Sequence, residues 1–428
     1  MAPSGWIARW LAPLWEWSSP PLWLTPQDPY ALSLTLALAL KESWFLLWVL
    51  AAALQQQSIL RALQIAQSLG YGTLQIWLQV LLPQVLPRLA GSLVAVVAYS
   101  VSVVDMALIL APTTPPPLAV LGWQWLNDSD PERYAMGSAV SLLLMLMIVG
   151  ASLLGWLSFH LLQALNQAPA GKRWRTFALP IKSTVAVSIV MAGWVALLLL
   201  VLWSFANHWF FPSLLPSSWT VTGWLSLDGS LLGNTLILGV ASSVVALILV
   251  IAGLETMANR LDSLWYGVLT LPALPLVVAQ YEVVIRLRLE GTYLALVWSH
   301  LLWVVPYVLL VLASTYRGFD PRFTLTARAL GYGYWHVLFR VKLPMLWGPI
   351  SAALAVGFAV SVAQYLPTVM MGAGRVSTLT TEAVALSAGG NRRTLAVYAL
   401  AQALLPWLVF LLMNSVSHWQ ARDRMGLR

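Results

Sequence analysis

Runs of apolar residues long enough to cross a bilayer recur from one end of this chain to the other. They fall at about 31–54, 88–111, 135–162, 183–206, 230–253, 263–285, 292–314, 346–369 and 395–418. A backbone inside hydrocarbon must satisfy its own N–H and C=O groups, so only helices and closed barrels span, and runs of about twenty residues have helical length. Of the 428 residues, 60% are hydrophobic and 9% are charged, whereas a water-facing globule carries roughly a quarter charged residues. The expectation is an all-α, polytopic helical membrane protein with about nine transmembrane helices. The weakest run is 263–285, which holds Pro272, Pro275 and Glu282. The first segment, Gly5–Trp17, is rich in Trp, broken by Pro13 and too short to span. It lacks the long apolar core of a signal peptide and suits the headgroup level, where Trp concentrates.

The chain repeats itself. At a constant offset of 261, Gln64–Pro83 and Leu325–Pro344 match at 8 of 20 positions. The matches are Ala66/Ala327, Leu69/Leu330, Gly70/Gly331, Tyr71/Tyr332, Gly72/Gly333, Val80/Val341, Leu82/Leu343 and Pro83/Pro344. Most are turn-formers and apolar anchors, the residue types a fixed backbone shape requires. In each copy an amphipathic helix should end near Gly70 or Gly331, where a left-handed residue is commonly needed. The second glycine then bends the chain again, and Pro83 or Pro344 opens the next span. The same offset lays the runs 292–314, 346–369 and 395–418 on 31–53, 85–108 and 134–157. This predicts tandem units: 1–165 with three spans, a basic linker over 166–182, and 183–428 with six. The first unit is then incomplete, and the abrupt Trp-rich start suggests that this sequence begins inside a longer protein.

Charge sets the expected orientation. If both repeated loops face the cytoplasm, the inner segments hold 15 Lys and Arg and the outer ones 7. That is the positive-inside bias, with the N-terminus outside and the C-terminus inside. The net charge of +8 then reflects loops beside anionic lipid, and no nucleic-acid partner is implied. There is no Cys, which removes disulfides, thiolate metal sites and Cys nucleophiles. No metal-ligand spacing or Ser/His/Asp set stands out, so no metal, cofactor or catalytic residue is expected.

The repeated loops resemble the EAA loop of permease subunits in binding-protein-dependent ABC importers, whose pattern runs E-A-A-x3-G-x9-I-x-L-P. Both copies keep the Ala, the Gly, an apolar residue ten positions on (Val80, Val341) and the Leu-Pro. Both depart at the leading Glu, which is Gln64 or Leu325, and at the next position, Ile65 or Thr326. The fused layout is similar to permeases of thiamine, ferric-iron and polyamine importers. The GYG variant and the Trp-rich segment look most like the YnjC-like permeases.

The resemblance implies two MetI-like units in the inner (cytoplasmic) membrane, with each loop seated on an ABC ATPase subunit present in two copies. It implies a soluble substrate-binding protein docked on the outer face. Coupling residues would be Ala66, Leu69, Gly70, Tyr71, Gly72 and Pro83 in one loop, and Ala327, Arg328, Leu330, Gly331, Tyr332, Gly333 and Pro344 in the other. ATP chemistry belongs to another chain, since the one Gly-Lys candidate, Gly171-Lys172, is followed by Arg173 with Asn166 in place of the first Gly of a phosphate loop.

Charges in mid-membrane cost on the order of 3 kcal/mol or more, so Lys41, Glu42, Asp105, Glu282 and His300 should face protein or a watery path. Val101–Asp105 resembles Val360–Gln364, two residues off the repeat offset, and the family often carries an acid there. Asp105, Gln364, Glu42 and His300 are therefore pathway candidates, against a plain role as interhelical hydrogen-bonders. His300 fits a satisfied interhelical histidine better than a ligand. Lys41 and Glu42 point about 100° apart on a helix and should meet different neighbours. The alternative function is a proton-coupled secondary transporter using Lys41, Glu42, Asp105 and Glu282. Pro272, Pro275, Pro306 and Pro367 should bend their helices. Asp128, Asp130 and Glu132 belong to an outer loop rich in Pro and Trp and read as solvated.

Overall fold

The computed structural model describes residues 4–21, 26–165, 184–256, 267–389 and 391–422; the expected linker at 166–182 lies outside them. The described chain is helical apart from one two-stranded ribbon, β1 (Ala206–His208) with β2 (Ser218–Trp219). The helices are α1 (Trp6–Leu11), α2 (Leu32–Leu54), α3 (Gln57–Ser68), α4 (Leu82–Ser102), α5 (Asp105–Leu110), α6 (Leu118–Leu126), α7 (Pro131–Leu165) and α8 (Thr184–Phe205). They continue as α9 (Gly229–Thr256), α10 (Ala273–Arg286), α11 (Tyr293–Arg317), α12 (Pro321–Ala329), α13 (Trp347–Val362), α14 (Leu366–Gly372), α15 (Leu379–Ser387) and α16 (Arg392–Arg422).

Contacts divide the chain into two compact units, the first built mainly from Met1–Leu199 and the second mainly from Pro216–Leu269 and Val277–Arg428. Thr184–Leu199 keeps company with the first unit, beyond the boundary expected at 183. Both units repeat one order of elements at the offset seen in sequence. Helices begin at 32 and 293, at 105 and 366, at 118 and 379, and at 131 and 392.

Six described helices are long and apolar enough to cross a membrane. A seventh counts if Tyr334–Met345 and Trp347–Val362, bent by 78°, form one span. Among the described residues six or seven of the expected nine spans are counted. The run at 183–206 is the 22-residue helix α8, Thr184–Phe205, of which Val190–Phe205 counts among the shorter apolar helices. The run at 263–285 is described as the 14-residue α10, with 257–266 outside the described residues.

The runs 88–111 and 346–369 are not single helices either. In the first unit the helix begins at Thr73 and runs to Ser102. Val103 then takes extended backbone (φ −66, ψ 127), and α5 starts afresh. In the second, α13 stops at Val362 and α14 restarts with Pro367 in its first turn. A proline there offers no N–H to the preceding turn and fits among the donors a helix start leaves unpaired. Pro272 precedes α10 and Pro275 sits in its first turn, so of the four prolines expected to bend helices only Pro306 stands beyond the first turn of one.

Small residues bring helices close in the second unit. A Cβ at Gly239 of α9 would stand 2.5 Å from Phe358 Cε2 of α13, and one at Gly357 would stand 2.9 Å from Val308 Cγ2 of α11. Ala246, Val250, Val304, Val308, Leu312, Ile350 and Ala353 fill the core between them. In lipid such backbone proximity supplies the packing that apolar burial alone cannot.

In the first unit, Ile59 and Ala66 of α3 pack with Ala53, Ile76, Leu81 and Val85. A second cluster joins Leu34, Val103, Ala107, Ala111 and Val120. The expected outer loop that holds Asp128, Asp130 and Glu132 is therefore preceded by a packed helix, α6, with Ala119, Val120, Gly122 and Leu126 buried. Asp130 accepts from Glu132 N at 3.0 Å, and Asp128 accepts from Asp130 N at 3.1 Å and from Arg133 Nη1 at 2.7 Å. These contacts, the Asp130 amide foremost, hold the Asp128 carboxyl below the usual Asp range. The acids thus order the start of α7. In α1, Arg9 donates to the carbonyls of Ser4, Phe210 and Ser213 at 2.6–2.9 Å, which pins the Trp-rich segment to 210–213.

Candidate functional site

The two repeated loops have one backbone design. Each short helix ends in a glycine with positive φ, Gly70 at 75° and Gly331 at 87°. Gly70 N donates to Gln67 O at 2.9 Å and Tyr71 N to Ala66 O at 3.1 Å. Gly331 N donates to Arg328 O at 2.9 Å and Tyr332 N to Ala327 O at 3.2 Å. That paired pattern is a Schellman motif: the two amides after the helix cap its last carbonyls, and the left-handed position favours glycine.

The motif accounts for the matched residues. Ala66 and Ala327 supply the capped carbonyl and are buried, at 3% and 7% exposure, so a small side chain fits. Leu69 and Leu330, next to the glycine, stay exposed, at 50% and 72%. Gly72 and Gly333 are different. Both have φ −69 with extended ψ and act as the N-cap of the next helix. The expected second bend at these positions is an ordinary helix start, and φ alone does not demand glycine there.

Contrary to the expectation from sequence, Pro83 and Pro344 do not open the spans. The helices begin ten residues earlier, at Thr73 and Tyr334, and widen to π-helix at Ile76–Leu81 and Leu338–Lys342. Inside a helix a proline ring crowds the carbonyl four residues back and removes a hydrogen bond. A π-turn just ahead of it relieves the crowding. The copies then part company. The first helix runs on to Ser102, while the second bends by 78° at Leu346.

The second loop is the more elaborate. Tyr332 stacks on His336 at 4.5 Å and Trp335 on Phe339 at 6.0 Å, and Arg328 lies 5.9 Å from the Tyr334 ring. Its inner side is tied down by a carboxylate the sequence reading did not single out. Glu255 of α9 accepts from Tyr316 Oη at 2.6 Å, from Tyr334 Oη at 2.7 Å, and from Lys342 Nζ. Lys342 Nζ also lies 4.0 Å from the centre of the Tyr316 ring. The only sequence signal was a lone acid at the end of an apolar run.

Among intramembrane candidates, the first unit gathers Lys41, Glu42 and Asp105. Lys41 Nζ sits 3.5 Å from the centre of the Tyr99 ring and 3.8 Å from Glu42 Oε1. The adjacent pair therefore does meet: a long, flexible Lys stem bends back over its neighbour. Asp105 opens α5 at the break. Glu282 belongs to α10 in the second unit.

His300 is buried in α11, with Nδ1 2.8 Å from Ser361 Oγ and Nε2 3.0 Å from Thr368 Oγ1. Thr368 donates to Gln364 O at 2.5 Å and Ser361 to Leu238 O at 3.4 Å, which ties both hydroxyl partners of the ring back to the backbone. His300 is thus a hydrogen-bonded brace across the α13/α14 break. Gln364 lies in that break, two residues before α14, whereas Asp105 is the first residue of α5. The two are not at equivalent positions of the repeat.

Against known proteins, the chain is 40% identical over 409 residues to the inner membrane ABC transporter permease protein YnjC of Escherichia coli, covering 95% of this chain and 76% of that protein. It is 31% identical over 90 residues to a spermidine/putrescine transport system permease protein PotC homolog of Mycoplasma genitalium, covering 21% of this chain and 31% of that one. No family model matches the chain.

Proposed function

The chain belongs to the inner-membrane permeases of ABC transporters, and from that premise we propose that its two Schellman-capped loops are the handles by which a separate ATPase moves it. Ala66–Pro83 and Ala327–Pro344 each seat on one copy of the ATPase. The exposed leucines, Leu69 and Leu330, lie at the contact, and the capped alanines fix the helix ends. A short rigid helix joined to two spans converts closure of the partner into rigid-body motion of those spans.

The observation carrying this reading is the recurrence of the same cap, the same left-handed glycine and the same π-turn before proline at one offset. The permease has two tandem units, 1–165 and 183–428, with the N-terminus outside and the loops and C-terminus inside. A soluble binding protein delivers solute to the outer face, and the broken helices near Asp105 and Gln364 line the path. Broken spans expose backbone polar groups at depth, which suits a polar solute.

The test is reconstitution of the chain with its ATPase in proteoliposomes. Uptake should require ATP and survive collapse of the proton gradient. Uptake driven by a proton gradient without ATP would overturn the proposal in favour of proton coupling through Lys41, Glu42, Asp105 and Glu282.

A further inference from the structure

The two loops share a backbone but not an anchorage. In the second unit one carboxylate, Glu255 of α9, takes hydrogen bonds from three residues on two other elements: Tyr316 at the end of α11, and Tyr334 and Lys342 at the two ends of the helical stretch that follows the loop glycine. The Glu255 and Lys342 side chains are only 14% and 18% exposed. Bonds between ionised partners shielded from water are the strong and geometrically exacting ones. In the first unit the positions equivalent to Tyr316, Tyr334 and Lys342 are Gln55, Thr73 and Leu81, so neither the two phenols nor the ammonium of this hub recurs at those positions.

We propose that Glu255 is the positioning residue that couples the second loop to α9, so that the two loops of this permease transmit force unequally. The proposal rests on the coupling role of the loops. A push on the Ala327–Pro344 loop reaches Tyr334 and Lys342 and passes through the carboxylate to α9 and α11 together. The 78° bend at Leu346 lies just beyond Lys342, so the stretch from Gly333 to Leu346 moves as a lever pinned at Glu255. A push on the first loop enters the straighter helix Thr73–Ser102 directly.

The experiment uses the assembled transporter with its ATPase and reads solute moved per ATP hydrolysed. Glu255→Gln keeps the size of the side chain and removes its charge. It should lower that ratio on the order of tenfold, the range of an ordinary coupling energy. Lys342→Met should lower it comparably, and the double variant should be no worse than the more severe single one, because both remove the same contact. Uptake and ATP hydrolysis falling together at an unchanged ratio would mean that Glu255 only supports folding, and would overturn the proposal. Additive losses in the double variant would overturn it as well. Gly331→Val in the same assay reports on the loop itself. If that variant keeps the normal ratio, the coupling-loop reading fails; if it alone uncouples, only the Glu255 joint fails.

Discussion

Single residues carry sharply different burdens in the repeated loops, although the sequence prints them alike. Gly331 sits at φ 87° and Gly333 at −69°, and no atom would lie within 4 Å of a Cβ at either. Crowding therefore cannot decide between them, and backbone conformation does. Gly331→Val should cost about 1–2 kcal/mol or more locally, the penalty of a left-handed residue with a side chain. Gly333→Ala should change stability by only a few tenths of a kcal/mol. Thermal unfolding in detergent with ATPase co-purification checks both; equal effects would refute the cap assignment.

His300 offers a second case. Truncation to Ala would strip a buried brace from Ser361 and Thr368 and leave a cavity, at a cost of about 2–5 kcal/mol. A native-like melting temperature in His300→Ala would show that the break needs no brace. The glycines and the histidine were legible as residues, but the identity of the left-handed glycine and of the two hydroxyl partners was not. The first depends on a helix boundary and the second on contacts 61 and 68 residues away.

At the scale of elements, packing rather than composition set the outcome. The apolar runs located the helices well, because length and hydropathy are what a bilayer reads. They did not locate the breaks after Ser102 and Val362 or the bend at Leu346. A break inside an apolar run leaves no hydropathy signal, since its stranded backbone groups are satisfied by neighbours that only the fold supplies.

The α9–α13 crossing gives a measurable consequence. Gly239→Ala would place a methyl 2.5 Å from the Phe358 ring and should destabilise by about 1–3 kcal/mol through overpacking. Adding Phe358→Leu should return part of that loss, since a smaller, more flexible side chain makes room. Additive destabilisation in the double variant would argue against direct contact of the two helices there.

For the whole molecule, the decisive property is which side each loop faces. The chain has no Cys, so single cysteines can report topology without a cleared background. Leu69→Cys and Leu330→Cys, on exposed side chains, should react with an impermeant maleimide only from the cytoplasmic side. Phe210→Cys, on another exposed side chain, should react only from the outside. Labelling of the loop cysteines from outside would reverse the orientation on which the coupling proposal stands.

Sequence alone determined that this chain lives in a membrane as helices, that it contains one design twice, and that each copy ends a short helix at a glycine before a proline. Those properties depend on local composition and spacing, which hydrocarbon and backbone sterics read without reference to distant residues. The tertiary structure decided that Glu255 takes hydrogen bonds from Tyr316, Tyr334 and Lys342. It also decided that Lys41 and Glu42 meet, and that His300 is a brace. Each of these is a meeting of side chains whose partners are chosen by how helices cross, and a linear pattern does not encode the crossing.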